Sequence, residues 1–522
     1  MLEHYEALKT LDRIPDHHAA LAPEGVALID RGEEILFAEL AERSRRVAAG
    51  LHAAGVKPGT RVAVVGPDCG ATYEILFGCF LAGAVAVPIN WRLDPDELGY
   101  ILRDAETPFV FAAPEVRAKL EPVVGEATLH IILFGRMGDG GDAGYRAWRD
   151  AQPAASSEPR RDPLAPAIQV YTSGTSGRPK GVVLSHRSFL EPARLVEAAG
   201  ERLIGWRPGD TSLLALPTYH VGGLWWSFHG LANGARNVVL PVFNAPGALA
   251  AIARHRVTKC AFVPAMLRFL LSEPEIATTD LGSIEQVIYG GSPMPLPVLE
   301  QAVERFDCAF AQNYGLSETC NMAVFLGPDE HGRIPPDGVT GRPLHGIGVK
   351  IRDSSGNALP SPEVGEICFR TAGAMIEYWR LPEETAHTLE DGWVRTGDVG
   401  FVDAQGFVRI TDRLKDLVIT AGENVYPAEI ERVLLEHPGI ADAAVIGIPD
   451  ERWGEVPLAY VVAGDASLDK PAVMRFLRGR LSAFKIPRTI EFLDALPRNA
   501  SGKVLKRVLR EPYWAGRSRG VG

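Results

Sequence analysis

Short apolar segments without polar alternation recur between residues 60 and 325 and are separated by longer stretches typical of helices. These segments are 61–65, 84–87, 213–216, 238–240, 261–263 and 286–289. A strand buried on both faces has a continuous apolar run, whereas a strand with one wet face alternates. The pattern therefore predicts parallel strands joined by helices, that is, an α/β fold built on parallel βα sheets.

The pattern changes twice further along the chain. Between 345 and 412, strand-like segments are separated by turn sequences at 353–356 and 403–406, which predicts a small antiparallel β subdomain. After Arg413 a third pattern begins, in which a helix starts at Pro427 and further strands and a helix follow. We predict a large N-terminal domain over 1–412, a smaller α+β domain over 413–522, and a surface loop over the Gly- and Pro-rich segment 136–161.

Size and charge narrow the class of protein. The 522 residues exceed the ~250–300 at which a single core stops growing, so at least two domains are expected. The net charge of −11 disfavours nucleic acid or an anionic membrane as partner. The longest apolar runs fall far short of the ~20 residues of a membrane span, and the first residues lack a signal-peptide pattern, so we expect a cytoplasmic protein. Six cysteines without Cys-x-x-Cys spacing predict reduced, buried thiols and no metal cage.

A hydroxyl- and glycine-rich segment follows the apolar run at 167–170. Glycines let backbone N–H groups converge on an anion, hydroxyls add donors, and a lysine adds a mobile positive charge. The residues that supply these groups are Thr172, Ser173, Gly174, Thr175, Ser176, Gly177, Lys180 and Gly181. A Walker P-loop needs Ser or Thr after its lysine, but here Pro179 precedes Lys180 and Gly181 follows it. The segment predicts a nucleotide site of another class; a solvated turn would explain its glycines but not its hydroxyls and lysine together.

Three other short motifs could complete such a site. Tyr314 and Gly315 follow a predicted strand and could stack a base, and Glu318 could hold a divalent cation on phosphates. Asp398 could bind the hydroxyls of a ribose, and Lys503 stands on a glycine-containing segment. Taken singly, each has a plain alternative, such as a capped helix start at Ser317, an acidic turn, or a solvated lysine.

In order and spacing, from about residue 30 to 510, these motifs resemble the adenylate-forming (ANL) superfamily, which includes the AMP-dependent synthetases and ligases and the acyl-CoA synthetases. The resemblance implies a two-step reaction with ATP, Mg²⁺ and coenzyme A. A carboxylic acid is converted to acyl-AMP with release of pyrophosphate, and the acyl group then passes to the thiol of coenzyme A. It also implies that the C-terminal domain is mobile, carries the catalytic lysine, and rotates about a hinge between the two steps.

The resemblance assigns a role to each matching position. The implied catalytic residues are Thr175, Lys180, Glu318 and Lys503, of which Thr175 and Glu318 would also hold Mg²⁺. The hinge position is Lys415. The implied nucleotide- and coenzyme-binding residues are Thr172, Ser173, Gly174, Ser176, Gly177, Gly291, Ser292, Gln312, Asn313, Tyr314, Gly315, Ser317, Asp398, Arg413, Gly422 and Glu423.

The acyl pocket is implied by the segment Tyr219 to Leu224, which ends a predicted strand and begins a helix. The implied pocket residues are His220, Gly222, Gly223, Trp225, Gly290 and Asn313. His220 could instead be a satisfied core histidine, and Asn313 stands where many relatives have glycine. Because the surrounding residues are small or apolar and no cation is apparent for a second carboxylate, an apolar monocarboxylic acid is favoured; fatty, aryl and alicyclic acids stay open.

Three alternatives remain at this point. The enzyme could load a carrier protein rather than free coenzyme A, the chain could be a non-catalytic nucleotide-binding module, or it could be a phosphotransferase. The glycine spacing disfavours the last of these. The expected partners are small molecules, and a monomer and a homodimer are both open.

Overall fold

The computed structural model describes residues 2–124, 130–135, 143–154, 162–172, 178–335, 338–420, 423–465, 468–498 and 504–515. The strands are β1 Val26–Asp30, β2 Glu33–Leu36, β3 Arg61–Val65, β4 Val85–Ile89, β5 Phe109–Ala112, β6 His130–Leu133, β7 Pro166–Thr172, β8 Lys180–Ser185, β9 Thr211–Leu214, β10 Arg236–Val239, β11 Lys259–Phe262, β12 Gln286–Gly290, β13 Ala309–Tyr314, β14 Val324–Leu326, β15 Arg342–Pro343, β16 Gly348–Arg352, β17 Gly365–Arg370, β18 Glu377–Tyr378, β19 Leu389–Glu390, β20 Trp393–Val402, β21 Val408–Arg413, β22 Val418–Thr420, β23 Glu423–Val425, β24 Ile440–Asp450, β25 Gly454–Ala463 and β26 Thr489–Phe492.

The α-helices are α1 Leu2–Ala7, α2 Ile14–Leu21, α3 Phe37–Ala53, α4 Gly70–Ala82, α5 Pro95–Asp104, α6 Arg117–Val124, α7 Ala143–Asp150, α8 His186–Ala198, α9 Val221–Ala232, α10 Ala245–His255, α11 Pro264–Ser272, α12 Leu296–Phe306, α13 Pro328–His331, α14 Pro382–Thr388, α15 Pro427–Leu435, α16 Lys470–Arg478 and α17 Lys506–Trp514. Helix α4 is buried along its whole length, which explains why its sequence is apolar on all sides rather than amphipathic.

The strands form four sheets. The two large sheets have the orders β15-β14-β13-β12-β11-β9-β10-β1-β2 and β18-β8-β7-β4-β3-β5-β6. All six apolar segments that predicted parallel strands overlap β3, β4, β9, β10, β11 and β12, and these strands pair in parallel. The α/β fold with parallel βα sheets is therefore confirmed.

The two smaller sheets match the two changes of pattern along the sequence. Strands β16, β17, β19, β20 and β21 pair only in antiparallel fashion, which confirms the small β subdomain predicted over 345–412. The last sheet has the order β23-β22-β25-β24, with β26 beside β25. Helix α15 begins at Pro427 as predicted, since proline lacks the N–H that the first helical turn leaves unpaired.

The prediction of a loop over 136–161 was wrong in part, because α7 lies within it. Tyr145 and Arg149 stand four residues apart on one face of this helix and are both buried. The Tyr145 hydroxyl and the Arg149 guanidinium donate to the same carboxylate oxygen of Glu74, at 2.9 and 2.7 Å. Composition alone did not indicate this helix, because a glycine-rich segment precedes it. The contacts that stabilise the helix are made with distant parts of the chain.

Two global predictions concern cysteines and membranes. All six cysteines lie in the described residues and none of them forms a disulfide; five are buried, as expected for reduced thiols. Within the described ranges, every helix is too short or too polar to cross a bilayer.

Candidate active site

The segment proposed to hold phosphate connects β7 to β8. These strands are antiparallel, and Thr172 and Lys180 form the last pair of their register. The connection therefore leaves the sheet at a fixed point, with Thr172 and Lys180 at its base. Five predicted residues of the connection lie outside the described residues: Ser173, Gly174, Thr175, Ser176 and Gly177.

Lys180 lies in a cluster of polar side chains from three distant parts of the chain. Its ammonium is 2.5 Å from Oε2 of Glu384 and 5.2 Å from the centre of the Tyr378 ring. The Tyr378 hydroxyl in turn donates to Oε1 of Glu318 at 2.6 Å. Tyr378 reaches this place because β18 pairs with β8, so that Tyr378 stands opposite Val182. The cluster combines one cation with two carboxylates, a set that suits a polyphosphate with its metal ion.

The carboxyl ends of β12 and β13 form the next wall of the site. The strands are parallel, with Gly290 opposite Asn313 and Tyr289 opposite Gln312. A Cβ at Gly290 would lie 2.1 Å from the Asn313 carbonyl oxygen, so any side chain there would force the strands apart. Gln312 is held by the Tyr289 hydroxyl, which donates to its Oε1 at 3.1 Å. Two further predicted residues, Gly291 and Ser292, follow β12 and are exposed.

A second cluster joins Tyr314 to the small antiparallel sheet. The Tyr314 hydroxyl donates to Oδ2 of Asp398 at 2.5 Å, and Arg413 Nε lies 3.1 Å from Oδ1 of the same carboxylate. Asp398 and Arg413 stand directly opposite each other on β20 and β21. Burial alone would lower the pKa of the Arg413 guanidinium, but the neighbouring Asp398 raises it, so Arg413 stays charged. Tyr314 and Arg413 thus fix the orientation of the Asp398 carboxylate, whose remaining lone pairs can accept hydrogen bonds from the hydroxyls of a ligand.

One short loop links the two clusters. Gly315 follows Tyr314, and Ser317 and Glu318 lie in a 3-10 turn over Ser317–Thr319. A Cβ at Gly315 would lie 2.3 Å from the Asn321 carbonyl carbon, which shows how tightly the loop folds back. The Asn313 side-chain amide donates to the Asn321 carbonyl oxygen at 2.9 Å and so stabilises the folded-back conformation of the loop. The side chain of Asn313 is thus explained by a structural contact that glycine could not make.

The residues near α9 that were predicted to line the acyl pocket divide between the N-terminus of this helix and its buried body. His220 precedes the helix, and its enclosed Nε2 has no hydrogen-bond partner among the described residues. Burial lowers the pKa of His220 to about 4, so the ring is neutral at pH 7. A Cβ at Gly222 would lie 3.9 Å from the Asn321 side-chain amide, whereas a Cβ at Gly223 would lie 2.1 Å from the Pro217 carbonyl oxygen.

Trp225 is placed deeper than the other residues of this group. It is 2% exposed and its ring centre is 5.0 Å from that of His229, within the core of the large domain. The structure therefore places His220, Gly222 and Asn321 close together at the start of α9. Trp225 lies about one helical turn further along this helix and is buried in the core.

The predicted hinge residue, Lys415, lies just after β21. Lys415 belongs to a 3-10 turn over Leu414–Asp416, and burial followed by the charge of Arg413 lowers its pKa. The flanking carboxylates tie this turn to the C-terminal domain. Asp412 accepts the Ala428 N–H at 2.7 Å in the first turn of α15, and Asp416 forms an ion pair with Arg510 of α17.

The remaining predicted residues belong to the C-terminal part. Glu423 is exposed at the start of β23 and pairs with Thr420. Gly422 and Lys503 lie outside the described residues, and Lys503 stands three positions before the start of α17.

Sequence reasoning missed four residues of this region. Tyr378 and Glu384 surround Lys180, and Asn321 closes the loop beside Gly222. Asp68 accepts the Thr218 N–H at 3.0 Å and its hydroxyl at 2.5 Å, which fixes the backbone two residues before His220. These four residues lie far along the chain from the residues they contact, so no local sequence pattern could have identified them.

Comparisons with known proteins identify the family of the chain. The model of the AMP-binding enzyme family matches residues 15–379, and that of the AMP-binding enzyme C-terminal domain matches residues 429–503. The chain is 42% identical to the fatty acid–[acyl-carrier-protein] ligase ScoC of Streptomyces coeruleorubidus, over 99% of both chains. It is 36% identical to a feruloyl-CoA synthase of an Amycolatopsis species, over 96% of this chain and 98% of the relative.

A solved structure shows the same fold. The o-succinylbenzoate coenzyme A synthetase MenE of Bacillus subtilis, in complex with ATP and magnesium ion, superposes with a TM-score of 0.81. The two chains are 32% identical, and the match covers 95% of this chain and 98% of the other. Matches of this length at this identity establish common descent and a common fold. The chain is an acid–thiol ligase that belongs to the AMP-binding enzyme family of adenylate-forming enzymes.

Proposed function

We propose that this enzyme activates an apolar monocarboxylic acid with ATP and transfers it to the thiol of coenzyme A. The observation that carries the proposal is the short loop between Tyr314 and Glu318. At one end of the loop, the Tyr314 hydroxyl donates a hydrogen bond to Asp398, which also forms an ion pair with Arg413. At the other end, Glu318 accepts a hydrogen bond from Tyr378, whose ring lies beside the Lys180 ammonium. One loop therefore holds a site for ribose and a site for phosphate within reach of a single nucleotide.

The donor set fits Mg²⁺ as well as ATP. Magnesium prefers carboxylate and phosphate oxygens, and Glu318 supplies the former while Thr175 is proposed to add its hydroxyl. Bound there, the ion would neutralise charge on the phosphates. Lys180 would contribute further positive charge, for which a triphosphate would compete with the Glu384 carboxylate at 2.5 Å. The ATP and magnesium in the MenE complex support this assignment.

The chemistry requires two displacements. In the first, a carboxylate oxygen attacks the α-phosphorus, the bond to the bridging oxygen breaks, and pyrophosphate leaves. Both reactants are anions, so positive groups that touch both of them lower the barrier, which is the role proposed for Lys503. In the second, the thiol sulfur attacks the acyl carbon, the thiol proton is lost, and AMP leaves with the former carboxylate oxygen. Lys415 is proposed as the hinge about which the domain beginning at 413 turns between these steps.

The acid is proposed from the pocket. His220 is neutral and enclosed, and glycine at 222 leaves space beside the Asn321 amide. A pocket lined by neutral groups suits an uncharged acyl group, because a second carboxylate buried there would have no positive partner. The names of the relatives cover fatty, feruloyl and succinylbenzoate acyl groups, so the size and ring content of the acid must be measured.

Carrier protein is the second candidate for the thiol acceptor. It is favoured by the 42% identity to a fatty acid–[acyl-carrier-protein] ligase over almost the whole chain. Coenzyme A is favoured by the feruloyl-CoA and succinylbenzoate relatives. We also propose a cytoplasmic location, in keeping with six cysteines that form no disulfide among the described residues. The monomer and the homodimer stay open.

The test follows each half-reaction separately. Purified enzyme, Mg²⁺ and ATP are incubated with a panel of fatty, aryl and alicyclic acids, and acid-dependent pyrophosphate exchange and AMP are measured. Coenzyme A and a phosphopantetheinylated carrier protein are then compared as acceptors, with mass spectrometry of the thioester. Lys180→Ala should abolish exchange, whereas Lys57→Ala, which alters an exposed lysine, should not. Production of ADP would refute the proposed adenylation. Preference for a dicarboxylic acid would refute the proposed apolar monocarboxylic substrate.

A further inference from the structure

Three histidines from the first two helices come together, and none of them belongs to the proposed nucleotide site. His4 lies on α1, and His17 and His18 lie on α2. One ring nitrogen from each lies within 4.8 Å of the other two. Over the described ranges, this is the one group of three or more His, Cys, Asp or Glu side chains with metal-ligand spacing.

Hydrogen bonding fixes the ring orientation of His18. Its Nε2 lies 2.9 Å from the carbonyl oxygen of Ala232, at the end of α9. A carbonyl can only accept, so Nε2 carries the proton and the lone pair is on Nδ1. Metal-binding histidines typically have this arrangement, in which the second ring nitrogen donates to a backbone carbonyl.

The other two rings are already close to ligand geometry. Nδ1 of His4 and Nε2 of His17 are 2.9 Å apart, so one of them presents a lone pair toward the other. Two nitrogens bound to one tetrahedral Zn²⁺ at 2.0–2.1 Å would be about 3.3 Å apart, which requires only a small separation of the rings. The ring centres are 4.9 to 5.3 Å apart in all three pairs.

The access of solvent to the cluster also suits a metal ion. His18 is 5% exposed, whereas His4 and His17 are half-buried, so water can reach the open side of the cluster.

We propose that His4, His17 and His18 form a binding site for a divalent transition metal of the Zn²⁺ class, with water as the fourth ligand. Three imidazoles favour Zn²⁺, Ni²⁺ or Cu²⁺ over Mg²⁺, so this site is chemically distinct from the one proposed at Glu318.

Such an ion would fasten α1 and α2 to the end of α9. Helix α1 already contacts α9 through Tyr5, whose hydroxyl lies 3.3 Å from Nδ1 of His229 and accepts from Asn233 at 2.9 Å. The acyl pocket begins at the opposite end of α9, so the metal would be structural rather than part of the reaction.

The experiment uses the full chain without an affinity tag, stripped with a chelator and then dialysed. Zn²⁺ is titrated against a chromophoric competitor, and Co²⁺ is used for absorption spectroscopy. His4→Gln and His17→Gln change half-buried ligands, while His345→Gln changes an exposed histidine outside the cluster and is the matched control. Circular dichroism and metal-free melting curves verify that each variant is folded.

We expect one Zn²⁺ per chain and a rise in melting temperature on binding. Both cluster variants should bind at least about tenfold more weakly, with unchanged metal-free melting, while His345→Gln behaves as wild type. The Co²⁺ complex should have tetrahedral ligand-field bands without thiolate charge transfer. The proposal is overturned by absence of stoichiometric binding, by an affinity equal to that of the wild type in both cluster variants, or by a thiolate signature that assigns the metal to cysteine.

Discussion

The hydroxyl of Tyr378 offers the sharpest test of the phosphate side of the site. It donates to Glu318 at 2.6 Å, and its ring lies beneath the Lys180 ammonium at 5.2 Å. Burial and the adjacent Glu318 carboxylate raise the pKa of this phenol, so it remains a donor throughout the working pH range. Tyr378→Phe removes that donor alone, because the ring keeps its packing in the core.

The expected loss can be worked from this contact. A hydrogen bond to a charged group contributes roughly 1.5–3 kcal/mol, and water can replace part of it at a site that ATP must enter. A net cost of about 1–2 kcal/mol corresponds to a roughly 5- to 30-fold fall in kcat/KM for Mg·ATP. Because Tyr378 acts through Glu318, the Mg²⁺ concentration for half-maximal rate should rise as well.

The assay is pyrophosphate exchange measured over a grid of ATP and Mg²⁺ concentrations. Tyr513→Phe is the matched control, since Tyr513 also donates to a carboxylate, that of Glu491 at 3.0 Å, but in the C-terminal domain. The reasoning is refuted if Tyr378→Phe leaves both kcat/KM and the Mg²⁺ dependence unchanged, or if Tyr513→Phe has the same effect.

Three further predictions address packing, chemistry and pH. Gly223→Ala places a Cβ 2.1 Å from the Pro217 carbonyl and should lower the free energy of unfolding in urea by about 1–3 kcal/mol, whereas Gly222→Ala, with its nearest neighbour at 3.9 Å, should be close to neutral; equal losses would contradict this. Lys503→Ala should abolish acyl-AMP formation yet retain transfer from supplied acyl-AMP, and a comparable loss in both half-reactions would remove its proposed role. Burial raises the pKa of Asp68 to about 6, so the folded state keeps a proton that the unfolded state has lost, and stability falls as pH rises from about 4 to about 6. Asp68→Asn should abolish that slope, worth up to about 3 kcal/mol in unfolding curves, and parallel pH profiles for the two proteins would disprove the shift.

The sheets were predictable because their signal is local. Runs such as 61–65 are buried on both faces in β3, and continuous apolarity has that meaning wherever it occurs. Helix α7 was missed because its sequence is short and its contacts are made with a distant part of the chain: Glu74 accepts from Tyr145 and Arg149, which are 71 and 75 positions away.

The site was predictable only in its motifs. Asp398 and Arg413 could be named from sequence, but their direct opposition on β20 and β21 depends on strand register, which no short motif encodes. Tyr378 and Glu384 approach Lys180 because β18 pairs with β8, although Lys180 and Glu384 are 204 positions apart in the chain. Long-range pairing of this kind is fixed by the complete fold and has no local trace.

The end of β21 carries consequences for how this chain can vary. Arg413 meets Asp398, the preceding Asp412 holds the first turn of α15, and Asp416 holds Arg510. Successive strand residues point to opposite faces, so inserting one amino acid between 408 and 413 would rotate Arg413 away from its carboxylate and shift every later anchor by one position. This stretch should therefore tolerate conservative exchanges but neither insertion nor deletion.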